Sequence, residues 1–365
     1  MSKYVLIIIW ISIFASIAYS GRFQRTEMVL GVRTTRMLPW FACLVFVPII
    51  WMAANRGYFS DTSVYIQNFK SMPEVFAGIA EYMNQVHKDK GFSFFSCLIK
   101  AFVTRNYKVY LGIIAIIQSI SLIFVFRKYS INYIASIFLF VASSDYISWM
   151  FNGMRQFLAV TIIFFATPLM LKKKYFPLLA IVLFAATFHL SALLMIPFIF
   201  IAQGKAWNRK TMVYIVLVIL AIVFVDRFTT LLEDSLSVTQ YSNVVSDYTA
   251  WKDDGTNILR VLVYSIPAFL AFIGRGYIER SGDRLANYCT NMAIISAGLY
   301  AISWATSGIY IGRLPIFVSL YGYILLPWEI ENMFRHRSKR FVYLLMILLY
   351  LVFYYYQMHV TWSLF

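Results

Sequence analysis

Apolar residues run along this chain in blocks close to bilayer length, separated by shorter polar connections. A transmembrane helix needs about 20 apolar residues, slightly fewer where flanking side chains can snorkel. On that rule the blocks 3–20, 38–54, 109–126, 131–149, 156–171, 211–228, 257–273, 286–303, 314–334 and 341–358 predict transmembrane helices. The stretch 55–108 is less regular. Within it Met72–Val86 is expected to be a helix. Gly91–Val103 has an amphipathic pattern with Lys100 off the apolar face, which predicts a helix lying along the membrane interface.

The polar connections carry the orientation. Arg22, Arg25, Arg33 and Arg36 form one basic cluster, and Arg127–Lys128, Lys172–Lys174 and Lys205–Lys210 form others. Arg275–Arg284 and Arg335–Arg340 complete the set, which holds nineteen of the 32 basic residues. Cytoplasmic loops are enriched in Lys and Arg, so these connections are assigned inside and both termini outside. Loops 55–108 and 229–256 then face the exterior. The second is acidic, with Glu233, Asp234, Asp247, Asp253 and Asp254 against Lys252.

This topology constrains the stretch 176–202. Lysines 172–174 and the basic group 205–210 must lie on one side, so the stretch enters and leaves by the same face. A single helix there would be about 40 Å long. It would also invert every later loop and bring the acidic loop inside. The charge pattern favours a broken, re-entrant helix pair meeting near Phe188, His189, Leu190 and Ser191. Irregular backbone at membrane depth is tolerated where it lines an enclosed cavity, and a broken apolar segment points to a site.

Composition agrees with this architecture. Hydrophobic residues make up 61% and charged residues only 13%, against about 25% charged in soluble domains. The formal charge of +16 would suit a polynucleotide, but it is spread over short connections, so no nucleic acid is expected. Cys43, Cys97 and Cys289 lie far apart, without metal or disulfide spacing. The first block, although basic at its start, is long and followed by Gly21 and Arg22; it is read as a retained span, not a cleaved leader. No soluble domain is expected before or after the bundle. The expectation is an all-α polytopic membrane protein, one domain over residues 1–365, with about 10–12 transmembrane or re-entrant helices.

Charges at membrane edges are costly and therefore candidates for function. Arg105, Arg155, Arg260 and Arg313 fall at outer helix ends. Interfacial snorkelling accounts for Arg105 and Arg260. Arg155 and Arg313 stand beside Gly153 and Gly312 and face the wrong side for the charge rule; outward guanidinium groups suit a diphosphate. Asp61 could be a general base or the N-cap of a helix running to Lys70. Asp145 is a second carboxylate, with an ion pair to a bundle arginine as the alternative reading. His189, at the break, could donate to phosphate or hold a base, or be a satisfied core residue. It has no His or Cys at ligand spacing, so no transition metal is expected. Tyr241, Tyr248 and Trp251 could stack on sugars or anchor the interface. No glycine-rich phosphate loop or nucleophile elbow occurs.

Four motifs in order carry a resemblance. They are Asp61-Thr62-Ser63-Val64-Tyr65; Met154-Arg155-Gln156-Phe157-Leu158-Ala159; Phe188-His189-Leu190-Ser191-Ala192, after a lysine cluster; and Gly312-Arg313-Leu314-Pro315-Ile316-Phe317. The chain resembles the EpsG-like branch of the Wzy-type bacterial polysaccharide polymerases over most of its length, more loosely after residue 226. The resemblance implies a GT-C-like membrane glycosyltransferase without cofactor. Such an enzyme joins undecaprenyl-diphosphate-linked oligosaccharides at the outer face of the cytoplasmic membrane. Its implied site is Asp61, Arg155, Gln156, His189 and Arg313; Tyr65, Asp145, Arg260 and Tyr248 are added as candidate substrate contacts from the residues themselves, and nothing in the acidic loop carries over from the resemblance. Membrane lipid, a flippase and a chain-length regulator are the implied partners. An O-antigen-ligase-like transferase, a lipid-linked-glycan flippase or transporter and, with thin support from His189 alone, a membrane O-acyltransferase are the alternatives.

Overall fold

The computed structural model describes residues 3–58, 60–225, 227, 230, 231, 234, 255–306, 308 and 311–364. Tyr241, Tyr248, Trp251 and nearly all of the acidic loop lie outside these. Contacts divide the chain into two units, Met1–Leu193 with Phe334–Phe365, and Leu194–Met333; each is described by itself.

In the first unit the order is α1 (Lys3–Tyr19), β1 (Gln24–Val29), β2 (Val32–Met37), α2 (Pro39–Ala54), α3 (Thr62–Ser71), α4 (Ile79–Asn84), α5 (Lys90–Phe102) and α6 (Tyr107–Tyr129). Then come α7 (Tyr133–Ala142), a π-helix (Tyr146–Asn152), α8 (Met154–Phe165), α9 (Thr167–Leu171) and α10 (Tyr175–Phe188). The C-terminal helix (His336–Tyr356) returns to this unit. Among the described residues two helices, Tyr107–Tyr129 and His336–Thr361, are long and apolar enough to cross a membrane unaided, and three bent pairs reach that standard when each pair counts as one span.

Helix α6 is the spine of this unit, packed by α2 and α8. Helix α2 starts at Pro39, where a missing N–H costs nothing. The C-terminal helix is tied in through Tyr354, whose hydroxyl meets that of Tyr146 at 2.8 Å and donates to the Tyr4 carbonyl.

Four local expectations are corrected. The all-α reading omits an antiparallel hairpin, β1–β2, closed by Leu30 and Gly31. Both turn residues have positive φ, +52° and +84°, the backbone of a two-residue turn whose twist matches its strands. The block 131–149 is not one straight helix: α7 and the π-helix are bent by 76°, and Ser144 at the corner has φ +57°. The block 314–334 is likewise bent by 51° between Ile311–Ser319 and Gly322–Met333. Met72–Val86 is not a continuous helix, because Pro73 drives Met72 into an extended conformation (ψ 154°) and α3 stops before it. Only Phe76–Gly78 and α4 are helical there.

The fifth correction concerns Lys100, which is buried and not turned away from the apolar face. Its ammonium donates to the carbonyls of Lys70 and Met72, at 2.6 Å each. These are carbonyls at the C-terminal end of α3 that no helical N–H reaches. Lys100→Met keeps the aliphatic stem and strands both acceptors. It is expected to lower stability by about 1–3 kcal/mol, read as an earlier thermal unfolding of the purified protein. An unchanged midpoint would refute the role.

The second unit holds α11 (Met195–Ile201), α12 (Arg209–Val223), α13 (Ile258–Ile273), α14 (Arg275–Ser281), α15 (Arg284–Ala305), α16 (Ile316–Ser319) and α17 (Gly322–Met333). Helix α15 lies at its centre, against α12, α13 and α17. Two buried amides on α15 order the connection 202–208. Asn287 accepts from the Ala206 N–H, and Asn291 accepts from Trp207 and Thr211 while donating to the Ala202 and Lys205 carbonyls. Asp283 caps α15 through the N–H groups of Leu285 and Ala286 and also accepts from the Trp328 indole.

Candidate functional site

The site is built from three segments of the first unit. The first is α3. It opens at Asp61, whose backbone is already helical and whose carboxylate makes no capping bond. The cap alternative for Asp61 therefore falls, and the carboxylate is exposed. The neighbouring Thr62 is fully buried and accepts from Arg56 Nε at 3.0 Å. Arg56, which the sequence reading passed over, is itself buried. It also donates to the Ala53 carbonyl at 2.8 Å and lies over the Phe151 ring. Burial draws its guanidinium down to about 10, so it stays charged at neutral pH and anchors the start of α3 to the end of α2.

One turn along α3, the Tyr65 hydroxyl donates to the Asn152 carbonyl at 3.0 Å. That bond joins α3 to the second segment, the junction of the π-helix and α8. Gly153 stands at this junction. A side chain there would put its Cβ 2.8 Å from the Trp149 ring, so the turn that aims Arg155 needs glycine. Helices of π form are rare and occur at functional sites. The Gln118 amide, on α6, donates to the Met154 carbonyl and steadies the first turn of α8.

Arg155 Nη1 donates to Asp89 Oδ2 at 2.9 Å, and its guanidinium lies over the Tyr65 ring, 5.9 Å from the centroid. The arginine side chain is 42% exposed and the aspartate 6%, so the pair has one face in solvent and one in the protein. Asp89 was missed by the sequence reading. It precedes α5 with φ +51°, and its second oxygen, Oδ1, is enclosed without a hydrogen-bond partner among the described residues. Desolvation pushes its carboxyl up from the ordinary aspartate value, and Arg155 and then Lys88 pull it partly back. The sequence held one clue: an acidic residue inside the lysine-rich run Lys88–Lys90.

The third segment is the end of α10. The helix stops at Phe188; His189 is extended (φ −160°, ψ 120°), and a 3₁₀ turn follows over Leu190–Leu194. His189 Nδ1 and Ser191 Oγ are 2.6 Å apart. The Gln156 amide reaches the same hydroxyl at 3.5 Å. Tyr65, Arg155, Gln156 and His189 are thus linked through Asn152 and Ser191. Asp61 sits one turn from Tyr65.

The remaining candidates are described within their own units. Asp145 is fully buried at the corner between α7 and the π-helix. Arg105 pairs with Glu74 at 3.2 Å, both well exposed, an arrangement worth little. In the second unit Arg260 lies over the Tyr264 ring at 5.7 Å on the first turn of α13, and Arg313 is exposed in the turn Ile311–Arg313. Tyr248 is outside the described residues. Among the described residues no three His, Cys, Asp or Glu side chains gather as metal ligands would.

The chemistry available is that of an anion site beside a carboxylate. A half-exposed guanidinium can take phosphate oxygens, an exposed carboxylate can take a proton, and the His189 imidazole is tied through Ser191 to Gln156, the residue after Arg155. No curated protein and no solved structure matches the chain. The profile of the EpsG family matches residues 39–363, a range that contains every one of these groups, and the chain belongs to that family.

Proposed function

We propose that this membrane protein is a polysaccharide polymerase. It joins undecaprenyl-diphosphate-linked oligosaccharide repeat units at the outer face of the cytoplasmic membrane, on a GT-C-like helical frame. The observation that carries this reading is the convergence of Arg155, Tyr65, Gln156 and His189 from three separate segments, with Arg155 half-exposed and oriented by Asp89. Family membership supports the polysaccharide context.

In this mechanism an acceptor hydroxyl of one repeat unit loses its proton to Asp61. Its oxygen forms a bond to the anomeric carbon of the donor glycan. The bond from that carbon to the diphosphate oxygen breaks, and its electron pair leaves with the lipid diphosphate. Negative charge grows on the leaving group, so Arg155 acts in the transition state. Asp89 is a positioning residue that holds the guanidinium in place before substrate arrives. His189, steadied by Ser191, assists a phosphate oxygen or orients the base. A single displacement inverts the anomeric centre. Arg313 is proposed as a second leaving-group contact from the family resemblance. A flippase that delivers the repeat unit and a chain-length regulator are the proposed partners.

Reconstitution tests this directly. Supplied with one purified lipid-linked repeat unit in liposomes, the protein is expected to make a ladder of products spaced by one repeat. Transfer only when a different acceptor is added would make it a ligase. Movement of the lipid-linked unit across the bilayer without new bonds would make it a transporter.

A further inference from the structure

Apart from the candidate site, the first unit contains a cavity of about 610 Å³ at the end of α2 remote from Arg155, within the range of small-molecule sites. Helix α2 separates the two, and its 16 residues span about 24 Å. The cavity lies between α1, the hairpin, the C-terminal end of α6, α7 and the C-terminal helix. Its walls differ in character. One part is apolar, formed by Ile11, Ala15, Ile134, Phe138 and Met346; the other carries Arg36 and Arg127.

The two arginines are not equivalent. Arg127 donates to the Met37 carbonyl at 2.6 Å and pairs with Glu27, which Arg25 also engages. Among the described residues Arg36 has no carboxylate in ion-pair contact. Its Nε donates to the Lys128 carbonyl at 3.0 Å and its Nη1 to the Thr35 carbonyl at 3.3 Å. Those bonds fix the guanidinium plane and leave Nη2 without a protein acceptor among the described residues. The residue is only 9% exposed. Burying a cation whose counter-charge is shared is costly, and Glu27, which attracts Arg36 without a direct bond, already pairs with two other guanidinium groups. An anion in the cavity would remove that cost. The apolar wall beside it would be covered by hydrocarbon.

We propose that this cavity seats an anionic glycerophospholipid, with a phosphodiester oxygen on Arg36 and an acyl chain along Ile11, Ile134, Phe138 and Met346. The site is separate from the catalytic one and takes no part in the transfer chemistry. It would fasten the hairpin to the ends of α1 and α6 by way of a molecule of the surrounding membrane. Both features are required: the guanidinium alone would accept any phosphate, and the apolar wall alone would accept any lipid.

Delipidated full-length protein in detergent allows the test, by titration with phosphatidylglycerol, with phosphatidylcholine of the same chains, and with inorganic phosphate. Native mass spectrometry and thermal unfolding are the readouts. Phosphatidylglycerol is expected to bind at least about tenfold more tightly than phosphatidylcholine, a difference of about 1.4 kcal/mol. Arg36→Gln is expected to abolish that preference, and Ala15→Phe to weaken both lipids by filling the chain's place. Equal binding of the two lipids by the native protein overturns the proposal. So does a preference that survives Arg36→Gln, or inorganic phosphate stabilising as strongly as phosphatidylglycerol. Should Arg36→Gln fail to fold, the comparison of the two lipids on the native protein still decides.

Discussion

Arg155→Ala is expected to reduce polymer formation on the order of 10²- to 10³-fold, the usual effect of deleting a charge-stabilising group from a transition state. Two consequences separate this loss from simple unfolding. The first is chemical. Arg155→Lys restores the charge without the planar fork that binds two phosphate oxygens, so it should recover only part of the rate. The second is electrostatic. Without Arg155, the largest influence lowering the Asp89 carboxyl is gone, and burial pushes it further up. An acid whose folded-state value is raised is most stable protonated, and it loses stability as pH rises from the unfolded value through the folded one.

The variant should therefore be close to native stability under acid conditions and weaker at neutral pH. Breaking a buried pair costs about 3–5 kcal/mol. Arg155 is 42% exposed, so solvent screening reduces this to about 1–2 kcal/mol. Adding Asp89→Asn should restore the stability but not the activity. Activity is checked by product ladders from purified lipid-linked repeat, and stability by unfolding at two pH values. Polymer length and yield equal to the native protein's would remove Arg155 from the mechanism.

Gly91→Ala carries the second large effect. Gly91 is in the first turn of α5, two residues after Asp89, and it faces Thr187, two residues before His189. A Cβ at Gly91 would stand 2.1 Å from the Thr187 hydroxyl oxygen and 2.9 Å from its carbonyl carbon. Rotating the threonine relieves the first clash and not the second, so α5 must move away from α10. That movement carries Asp89 and His189 with it. Overpacking of this kind costs about 1–3 kcal/mol, and a displacement near 1 Å at a reacting centre costs roughly 100-fold in rate. Thr187→Ala in the same chain should rescue only partly, because the backbone contact remains. A Gly91→Ala protein that elutes as native and polymerises at the native rate would show that α5 and α10 do not set the site's geometry.

Much of the helical frame was legible in the chain. Blocks of apolar residues fall where α1, α2, α6, α12, α13, α15 and the C-terminal helix are found, because a helix in lipid must satisfy its own backbone and needs apolar side chains over its whole length. The bends were not legible. At Ser143–Asp145 the residues are small and polar but the flanking hydropathy is unbroken. Whether such a block bends depends on what packs beside it. The hairpin was hidden because its turn residues, Leu30 and Gly31, lack the asparagine or aspartate that usually marks a two-residue turn. Lys100 was misplaced for the opposite reason. Its charge suggested an outward position, yet the open carbonyls at the end of α3 lie on the inward side and accept its hydrogen bonds.

The candidate site divides in the same way. Arg155 and His189 could be chosen from the sequence because one is a charge at the edge of an apolar block, where its cost demands a reason, and the other stands at the break of an apolar segment; Tyr65 and Gln156 lie in the motifs that carry the resemblance. Asp89 and Arg56 could not. Asp89 pairs with a residue 66 positions away, and its importance lies in being desolvated, which is a property of its neighbours. Arg56 reads as one more basic residue at a helix end, until Thr62, Ala53 and Phe151 are seen to enclose it. By itself the sequence determined the helices, their apolar lengths and the short list of charges out of place, all of which depend on residues near one another in the chain. The tertiary structure alone decided which charges meet, which carbonyls stay open, and where a lipid-sized cavity meets a buried arginine. Those outcomes depend on desolvation and on contacts between distant segments, which no local pattern encodes.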